Sequence, residues 1–216
     1  MRDQIRQRAA RVDLSLRDAE VAQLAEYVGL LTKWNARLNL TALALAPMAD
    51  TTVDRLIIEP VAAARDVRAA DRRMLDVGSG GGSPALPLKI ASPWLRLTLV
   101  EVKTRKSAFL REAIRHLALA DTDVETERVE TLSTRGELRE SVDVVSIRAV
   151  KLDAELWRSL LIVLKPGGRL LWFGASSAAE LDERLPVGLA VVARRTLLPE
   201  APDDLAVLEK SHEHVS

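Results

Sequence analysis

A cluster of glycines directly after a short apolar run places the tightest constraint on the fold of this 216-residue chain. Four of its ten glycines lie between residues 78 and 82, after Met74–Val77 and before a stretch of helical period that begins at Pro84. Glycine lets the backbone reach positive φ and lets a ligand approach main-chain atoms closely. An ordinary turn is the alternative, but turns rarely use so many glycines. The cluster therefore predicts a ligand-binding loop at the end of a buried strand.

Strand-like and helix-like patterns alternate from residue 73 onward. Apolar, β-branched runs indicate seven strands, at residues 74–77, 95–102, 124–129, 142–147, 169–173, 189–196 and 205–209. Stretches of helical period stand between them, at residues 84–91, 103–119, 152–164 and 178–185. This order predicts an α/β fold, a Rossmann-like, doubly wound, mostly parallel seven-stranded sheet. Such a sheet binds its ligand at the carboxyl ends of the strands, beside the switch in strand order.

The first 72 residues lack strand patterns and predict an N-terminal helical layer. Residues 1–12 carry several arginines with few apolar partners, so we expect a solvated tail there. Apolar residues at three- and four-residue steps predict a helix from Ser15 or Asp18 to about Asn39, with Trp34 packed in the layer. A second helix is predicted over residues 52–67. The chain thus divides into a tail and helical extension, residues 1–72, and a compact ligand-binding domain, residues 73–216.

Composition excludes several classes of protein. The chain has no cysteine, which excludes disulfides and thiolate metal sites, and its three histidines lack the spacing of a zinc enzyme, so we expect no metal. The 31 basic and 31 acidic side chains cancel, which disfavours binding of nucleic acid by bulk charge but allows a local basic face. No apolar run approaches the roughly 18 residues of a membrane span. We expect a cytoplasmic protein that acts as a monomer.

Spacing within the loop discriminates between ligands. The dinucleotide fingerprint would need glycine in place of Ser83, and a phosphate loop would need a lysine that is missing. Residues 78–82 instead read G-x-G-x-G and follow Asp76. S-adenosylmethionine carries an α-amino group and no phosphate, so an acid at the start of the loop suits it. Glu101 lies 23 positions beyond Gly78, where a carboxylate would hold a ribose diol, although a strand-end carboxylate is often only solvated.

Several segments together resemble one family. Residues Tyr27–Thr41 read Y-x-x-L-L-x-x-W-N-x-x-x-N-L-T, and they are accompanied by Asp76–Gly82, Val100–Lys106, Arg128–Glu130 and Arg148–Ala149. This set resembles class I S-adenosylmethionine-dependent methyltransferases and, more narrowly, the RsmG (GidB) family, over about residues 14–210. The resemblance implies methylation of N7 of a guanine in 16S ribosomal RNA, with that RNA or the small ribosomal subunit as partner.

The family pattern and the loop spacing together give a set of candidate site residues. For S-adenosylmethionine they are Asp76, Gly78, Ser79, Gly80, Gly82, Glu101, Val129, Glu130 and Arg148. Arg148 is also the candidate catalytic residue, expected to orient the guanine or its phosphate through its forked donors, with a structural salt bridge as the alternative. The candidates for contact with RNA are Asn39, Lys103, Arg105 and Lys106.

Methyl transfer to guanine N7 fits the residues that are present. N7 carries a lone pair and no proton, so the reaction needs no general base and depends mostly on positioning. The Asn/Asp-Pro-Pro-aromatic motif that holds exocyclic amino acceptors is missing after the fourth strand. Arg111 and Arg115, one turn apart, extend a possible basic face for RNA, with a solvated helix face as the alternative.

Several positions depart from the family pattern. Thr51 and Arg55 replace a histidine and a serine, Ala85 replaces a glycine, Phe173 replaces a lysine, and Asp203–Asp204 replaces an Arg-His pair. The last two changes remove cations from positions that the resemblance places toward RNA. Two alternatives therefore stay open beside the ribosomal RNA enzyme. One is a divergent methyltransferase acting on another nucleic acid or a small molecule, and the other is a non-catalytic ribosome-binding protein of the same fold.

Overall fold

Seven strands form a single sheet in the computed structural model, which describes residues 1–175, 185–198 and 204–212. The strands are β1 (Arg73–Val77), β2 (Arg96–Val100), β3 (Thr122–Glu125), β4 (Val142–Arg148), β5 (Leu164–Ala175), β6 (Leu189–Thr196) and β7 (Asp204–Lys210). Their order across the sheet is β3-β2-β1-β4-β5-β7-β6. Strands β1 to β5 pair in parallel, whereas β7 is antiparallel to β5 and β6. The predicted α/β fold class is confirmed.

Helices cover both faces of this sheet. They are α1 (Arg2–Ala10), α2 (Asp18–Leu38), α3 (Asp50–Val53), α4 (Glu59–Ala63), α5 (Ala85–Ala91), α6 (Thr104–His116), α7 (Val129–Leu132) and α8 (Ala154–Val163). A π turn, Asp54–Ile58, joins α3 to α4, so the second predicted helix is one rod with an irregular centre. None of the helices described is long and apolar enough to cross a membrane.

The pleat of the strands divides the interior into two cores. Successive side chains of a strand point to opposite faces, so Met74 and Val144 pack with the N-terminal helices, α5 and α6. Leu75, Val77 and Val145 pack with α7 and α8 on the other face. Because Asp76 alternates with Leu75 and Val77, it lies on the face covered by the N-terminal helices. The helical extension and the sheet thus share one continuous core.

The prediction of a solvated N-terminal tail was wrong. Residues 2–10 form α1, and Ile5, Arg8 and Ala9 are buried against α2 and the π turn. Arg8 donates to both carboxylate oxygens of Asp54, with 2.8 Å between Nε and Oδ1. A distant acid therefore neutralises an arginine that looked solvated in the sequence, and this long-range pair organises the segment.

Some element boundaries also differ from the prediction. The third strand ends at Glu125, and Val129 is the first residue of α7. The prediction placed Val129 in the strand because it is apolar and β-branched, but its side chain is buried in the second core from a helix. Strand β5 begins at Leu164, five residues before the predicted start of the fifth strand at residue 169. The predicted helix at 178–185, except Leu185, and Asp203 lie outside the described residues.

Candidate active site

The ends of β1 and β4 meet where the order of strands reverses. β1 pairs with β2 on one side and with β4 on the other. The connection after β1 runs toward β2, whereas the connection after β4 runs the opposite way, toward β5. A crevice forms at such a switch point, outside the carboxyl ends of the strands. The glycine loop follows β1, and Arg148 is the last residue of β4. The loop and the arginine predicted from sequence therefore come together here.

Two glycines of the loop show why it is bare. Gly82 has φ of +89°, which other residues rarely adopt, and a Cβ there would lie 2.5 Å from Leu86 Cδ1, so the Leu86 side chain would have to move. Gly80, at φ +49°, has no non-neighbouring atom closer than 3.6 Å to the position of a Cβ. Packing thus fixes one end of the loop, while Gly80 leaves its backbone open to the cavity in front of it.

Hydrogen bonds from neighbouring elements hold the loop in place. Gly78 N–H and Ser79 N–H both donate to the carbonyl of Val100 at the end of β2, at 2.9 and 3.1 Å. From the N-terminal layer, the hydroxyl of Tyr27 donates to the carbonyl of Gly81 at 2.7 Å. Burial raises the pKa of the Tyr27 hydroxyl, so it stays a donor. The helical extension therefore supports the loop directly.

Glu101 closes the loop from the second strand. Its Oε2 accepts from Gly80 N–H at 2.9 Å and its Oε1 from Lys103 N–H at 2.8 Å. The residue is 6% exposed. Each carboxylate oxygen has further acceptor capacity, so this group can hold the loop and still accept from a ligand diol. The solvated-carboxylate alternative does not fit this burial.

Asp76 is a buried acid with one oxygen left without a donor. Ser146 Oγ donates to Asp76 Oδ1 at 2.5 Å, whereas Asp76 Oδ2 has no hydrogen-bond partner among the described residues. Burial raises the pKa of this carboxyl to about 6, and the bond from Ser146 opposes that rise. A buried acceptor without a donor is costly. A ligand ammonium group would stabilise its charged form.

Both Nη atoms of Arg148 donate hydrogen bonds to other residues of the protein. Its Nη2 lies 2.6 Å from Glu59 Oε2, its Nη1 donates to the carbonyl of Arg55 at 2.5 Å, and its guanidinium carbon lies 4.6 Å from the centre of the Phe173 ring. Burial lowers the pKa of Arg148 to about 10, and the charge of Glu59 opposes this shift. The salt bridge considered from sequence is present. Nε–H of Arg148 still lacks an acceptor among the described residues.

Phe173 replaces a lysine of the family pattern, and its contact with Arg148 accounts for this departure. A lysine in its place would bring a second cation against the guanidinium of Arg148, whereas the aromatic face attracts it. The substitution is therefore compatible with the arginine beside it. Arg55, another departure, lines the central cavity, and Thr51 is exposed on α3.

Two cavities open on either side of Gly78. The central cavity, of about 380 Å³, lies between the loop and the N-terminal layer and is lined by residues that include Tyr27, Ser79, Gly80, Lys106 and Arg148. A smaller one, of about 210 Å³, is lined by Glu101, Val129 and Glu130 among others, with Gly78 common to both. The structure thus brings most of the predicted cofactor residues to two neighbouring cavities that share Gly78. Asp76 and Gly82 instead support the loop from behind.

A third space forms a basic cleft beside the central cavity. This cleft, of about 450 Å³, is lined by Arg37, Leu38, Asn39, Lys103, Thr104, Arg105 and Lys106, with no acidic side chain among them. Lys106 also lines the central cavity, so the two spaces adjoin. The predicted RNA candidates therefore lie together. Sequence reasoning missed Arg37, whose only local signal is its place in the last turn of α2, two residues before the left-handed C-cap Asn39.

Other predicted cations are occupied elsewhere. Arg111 donates to the carbonyl of Val124 and to Thr126, and Arg115 pairs with Glu112. These contacts favour the solvated-face alternative for that part of α6. Within the described part of the chain, no cluster of histidine and carboxylate side chains could hold a metal ion.

Fold and site together define the class of the protein, a Rossmann-like α/β protein with a glycine-loop cavity at the carboxyl ends of its strands. The Mitomycin 7-O-methyltransferase MmcR shares this fold, with a TM-score of 0.57 and 18% identity over 89% of this chain and 67% of that one. A sequence profile described as GidB, rRNA small subunit methyltransferase G, matches residues 20–187. The chain therefore belongs to the GidB family, as the resemblance predicted.

Two relatives illustrate the extent of the match. The Ribosomal RNA small subunit methyltransferase G of Chloroflexus aggregans is 40% identical over 158 residues, which are 73% of this chain and 65% of that protein. The protein of the same name from Burkholderia vietnamiensis is 36% identical over 184 residues, 84% of this chain and 79% of that protein. The first match thus spans just under two thirds of its relative's length.

Proposed function

We propose that this protein transfers a methyl group from S-adenosylmethionine to N7 of a guanine in 16S ribosomal RNA. The observation that carries the proposal is the glycine loop at the β1/β4 switch point, closed by Glu101 and backed by Asp76, in a chain of the GidB family. The alternative of a divergent or non-catalytic protein is not favoured, because the loop, its two acids and the family match all agree.

The residues present fit the cofactor. The open backbone of Gly80 allows close approach, and Glu101 suits its ribose hydroxyls. The buried carboxylate of Asp76, behind the loop, adds a negative charge that attracts the α-amino group without touching it. Val129 and Glu130, which line the smaller cavity, would hold the adenine of the cofactor. The bound nucleoside supplies a methyl group activated by a positively charged sulfur.

The central cavity would receive the acceptor base. Arg148 and Lys106 line it, and a donor from either can bond O6 of guanine, which leaves the lone pair of N7 unoccupied. Because N7 carries no proton, the protein's task is to hold its lone pair in line with the methyl group and to exclude water. Arg148, which lines the cavity at the end of β4, is the residue we assign to that contact.

The basic cleft would hold the RNA backbone next to that base. Its four cations, Arg37, Lys103, Arg105 and Lys106, share one space without an acid lining it. Cations of this kind contact phosphates and set the position of an RNA strand without reading its sequence. Asn39 adds a neutral donor.

We further propose that the protein acts as a monomer in the cytoplasm. Light scattering of the purified protein tests its oligomeric state.

Transfer of labelled methyl groups tests the main proposal. The protein is incubated with labelled S-adenosylmethionine and small ribosomal subunits from a strain lacking the modification, and the labelled nucleoside is identified by chromatography. We expect 7-methylguanosine. Label in another nucleoside would identify a divergent acceptor, and no label despite cofactor binding would refute the proposed reaction.

Calorimetric titration tests the cofactor site separately. Glu101→Ala should weaken S-adenosylmethionine binding by about 1–3 kcal/mol, the scale of a charge-assisted hydrogen bond. Glu112→Ala removes a carboxylate of the same type from α6, outside the cavities, and should leave affinity unchanged. Equal affinity of the Glu101 variant and the wild type would contradict the assigned role.

A further inference from the structure

The helix that precedes β1 contains a proline that prevents it from closing its own hydrogen bonds. Pro60 has no N–H, so residue 60 can donate neither to the carbonyl of Leu56, four residues back, nor to that of Arg55, five residues back. Glu59 N–H donates to the carbonyl of Asp54 in the π turn, which leaves Arg55 without its α-helical donor as well. Two consecutive carbonyls thus lose the donors that a regular helix would supply.

Side chains of the active site occupy these two carbonyls. Arg148 Nη1 donates to the carbonyl of Arg55 at 2.5 Å, and Ser83 Oγ, at the end of the glycine loop, donates to that of Leu56 at 3.0 Å. Glu59, next to Pro60, accepts from Arg148 Nη2 at 2.6 Å. Three acceptors on neighbouring residues of one helix therefore hold the end of β4 and the end of the loop.

We propose that Pro60 and the π turn form a positioning device, which fixes the Arg148 guanidinium and the end of the glycine loop relative to each other, with Glu59 as a positioning residue. The proposal rests on the methyl transfer proposed above. Backbone carbonyls cannot rotate away as side chains do, so they hold a flexible arginine in one orientation before substrate arrives. π turns occur frequently at functional sites, where they present main-chain groups outside the regular ladder.

Restoring the missing N–H tests the device directly. In Pro60→Ala, residue 60 can donate to Leu56 and the helix can return to the α pattern, which would withdraw both carbonyls from the site. Val61→Ala removes apolar volume from the same buried helix without adding a donor and serves as the matched control. We expect kcat to fall at least about tenfold in Pro60→Ala. The Kd for S-adenosylmethionine should stay within about threefold of wild type, and Val61→Ala should lose no more than about twofold in kcat.

Variants of Glu59 provide a second arm if Pro60→Ala does not fold. Glu59→Gln keeps an acceptor oxygen for Arg148 and removes the charge, whereas Glu59→Ala removes both. A positioning role predicts kcat in the order wild type, Gln, Ala, with KM for S-adenosylmethionine little changed. Equal kcat in all three proteins, or a Pro60→Ala variant with kcat within twofold of wild type, would overturn the proposal.

A spectroscopic measurement separates this proposal from the proposed reaction. Rotation of the Arg148 guanidinium can be followed by nitrogen-15 side-chain NMR, which needs no turnover. We expect restricted rotation in the wild type and Val61→Ala, and faster rotation in Pro60→Ala. If the wild type transfers no methyl group, the proposed reaction fails while this measurement still decides the positioning device. Unchanged rotation in Pro60→Ala would refute it.

Discussion

At the scale of single residues, Asp76 carries the clearest pH dependence. Burial raises its pKa from 3.8 to about 6, so the protonated form favours the folded state. Its contribution to stability is therefore full below about pH 3.8 and is lost as the pH rises through about 6. The difference between these pKa values corresponds to about 3 kcal/mol.

Replacing this acid by its amide tests that assignment. Asp76→Asn cannot ionise, so its stability relative to wild type should increase by up to about 3 kcal/mol between pH 4 and pH 8. Urea unfolding at the two pH values measures this difference. The same variant should bind S-adenosylmethionine more weakly at pH 8, because it lacks the charge that would face the α-amino group. A pH-independent stability difference would show that another group titrates.

Arg148 has a structural and a proposed catalytic role that two variants can separate. Arg148→Met leaves the buried Glu59 carboxylate without its arginine and should lower the free energy of unfolding by about 3–5 kcal/mol. Adding Glu59→Gln removes the stranded charge and should restore most of that stability. The double variant should still transfer no methyl group, although its affinity for S-adenosylmethionine should stay near that of the wild type. Recovery of turnover together with stability would mean that Arg148 acts only through the salt bridge.

At the scale of elements, the site depends on segments that precede the sheet. α1 anchors the π turn through the buried pair of Arg8 and Asp54, and α2 supports the glycine loop through Tyr27. The signature that identifies the family has a structural reason here. Asn35 Oδ1 accepts from Thr41 N–H at 2.9 Å and fixes the chain after α2, while Trp34 packs edge-on against Phe109 at 5.9 Å between ring centres.

The importance of α1 leads to a prediction about stability. Arg8→Ala should lower the free energy of unfolding by about 3–5 kcal/mol, because Asp54 would be left buried without its main counter-charge. Arg6→Ala, on the same helix, breaks only exposed pairs and should unfold like the wild type. Chemical denaturation of both variants measures the difference. Equal stability of the two would mean that α1 contributes little to the fold.

At the scale of the whole molecule, charge is balanced in total but not in distribution. Equal numbers of acids and bases give no net charge, yet the basic cleft gathers four cations beside the central cavity. The surface around Arg96, at the amino end of β2, mixes arginines with Asp123, Glu125 and Glu137. A local positive field of this kind can guide RNA toward one side of a neutral protein.

Salt dependence of RNA binding tests this distribution. Arg37→Gln should weaken binding of a labelled single-stranded RNA and reduce the slope of log affinity against log salt by about 0.7, the value for one phosphate contact. Arg96→Gln removes the same charge at the amino end of β2, whereas the cleft follows the carboxyl end of that strand, and it should leave the slope unchanged. Fluorescence anisotropy at several salt concentrations gives both slopes. Equal slopes in the two variants would contradict a phosphate site in the basic cleft.

Features that depend on a local pattern of residues could be predicted from the amino-acid sequence. Seven runs of strand character, alternating with helical periods, were enough for the fold class, because burial on two faces imposes those periods wherever the chain runs. The glycine loop and the acids Asp76 and Glu101 were equally readable, since few backbones need glycines so closely spaced after a strand. The family signature added the expected chemistry.

Contacts between residues that are distant in the chain follow from the packing of the elements and could not be predicted. Glu59 and Arg148 are 89 positions apart, and Arg8 and Asp54 are 46 apart, so no spacing within the sequence pairs them. The same holds for Arg37, which joins Lys103 only because α2 packs beside α6. Local propensity sets the elements, but the crossover connections and the packing of helices on the sheet set which side chains share a space. A charged side chain that the sequence suggests is exposed can therefore be buried, because an oppositely charged side chain from another element pairs with it.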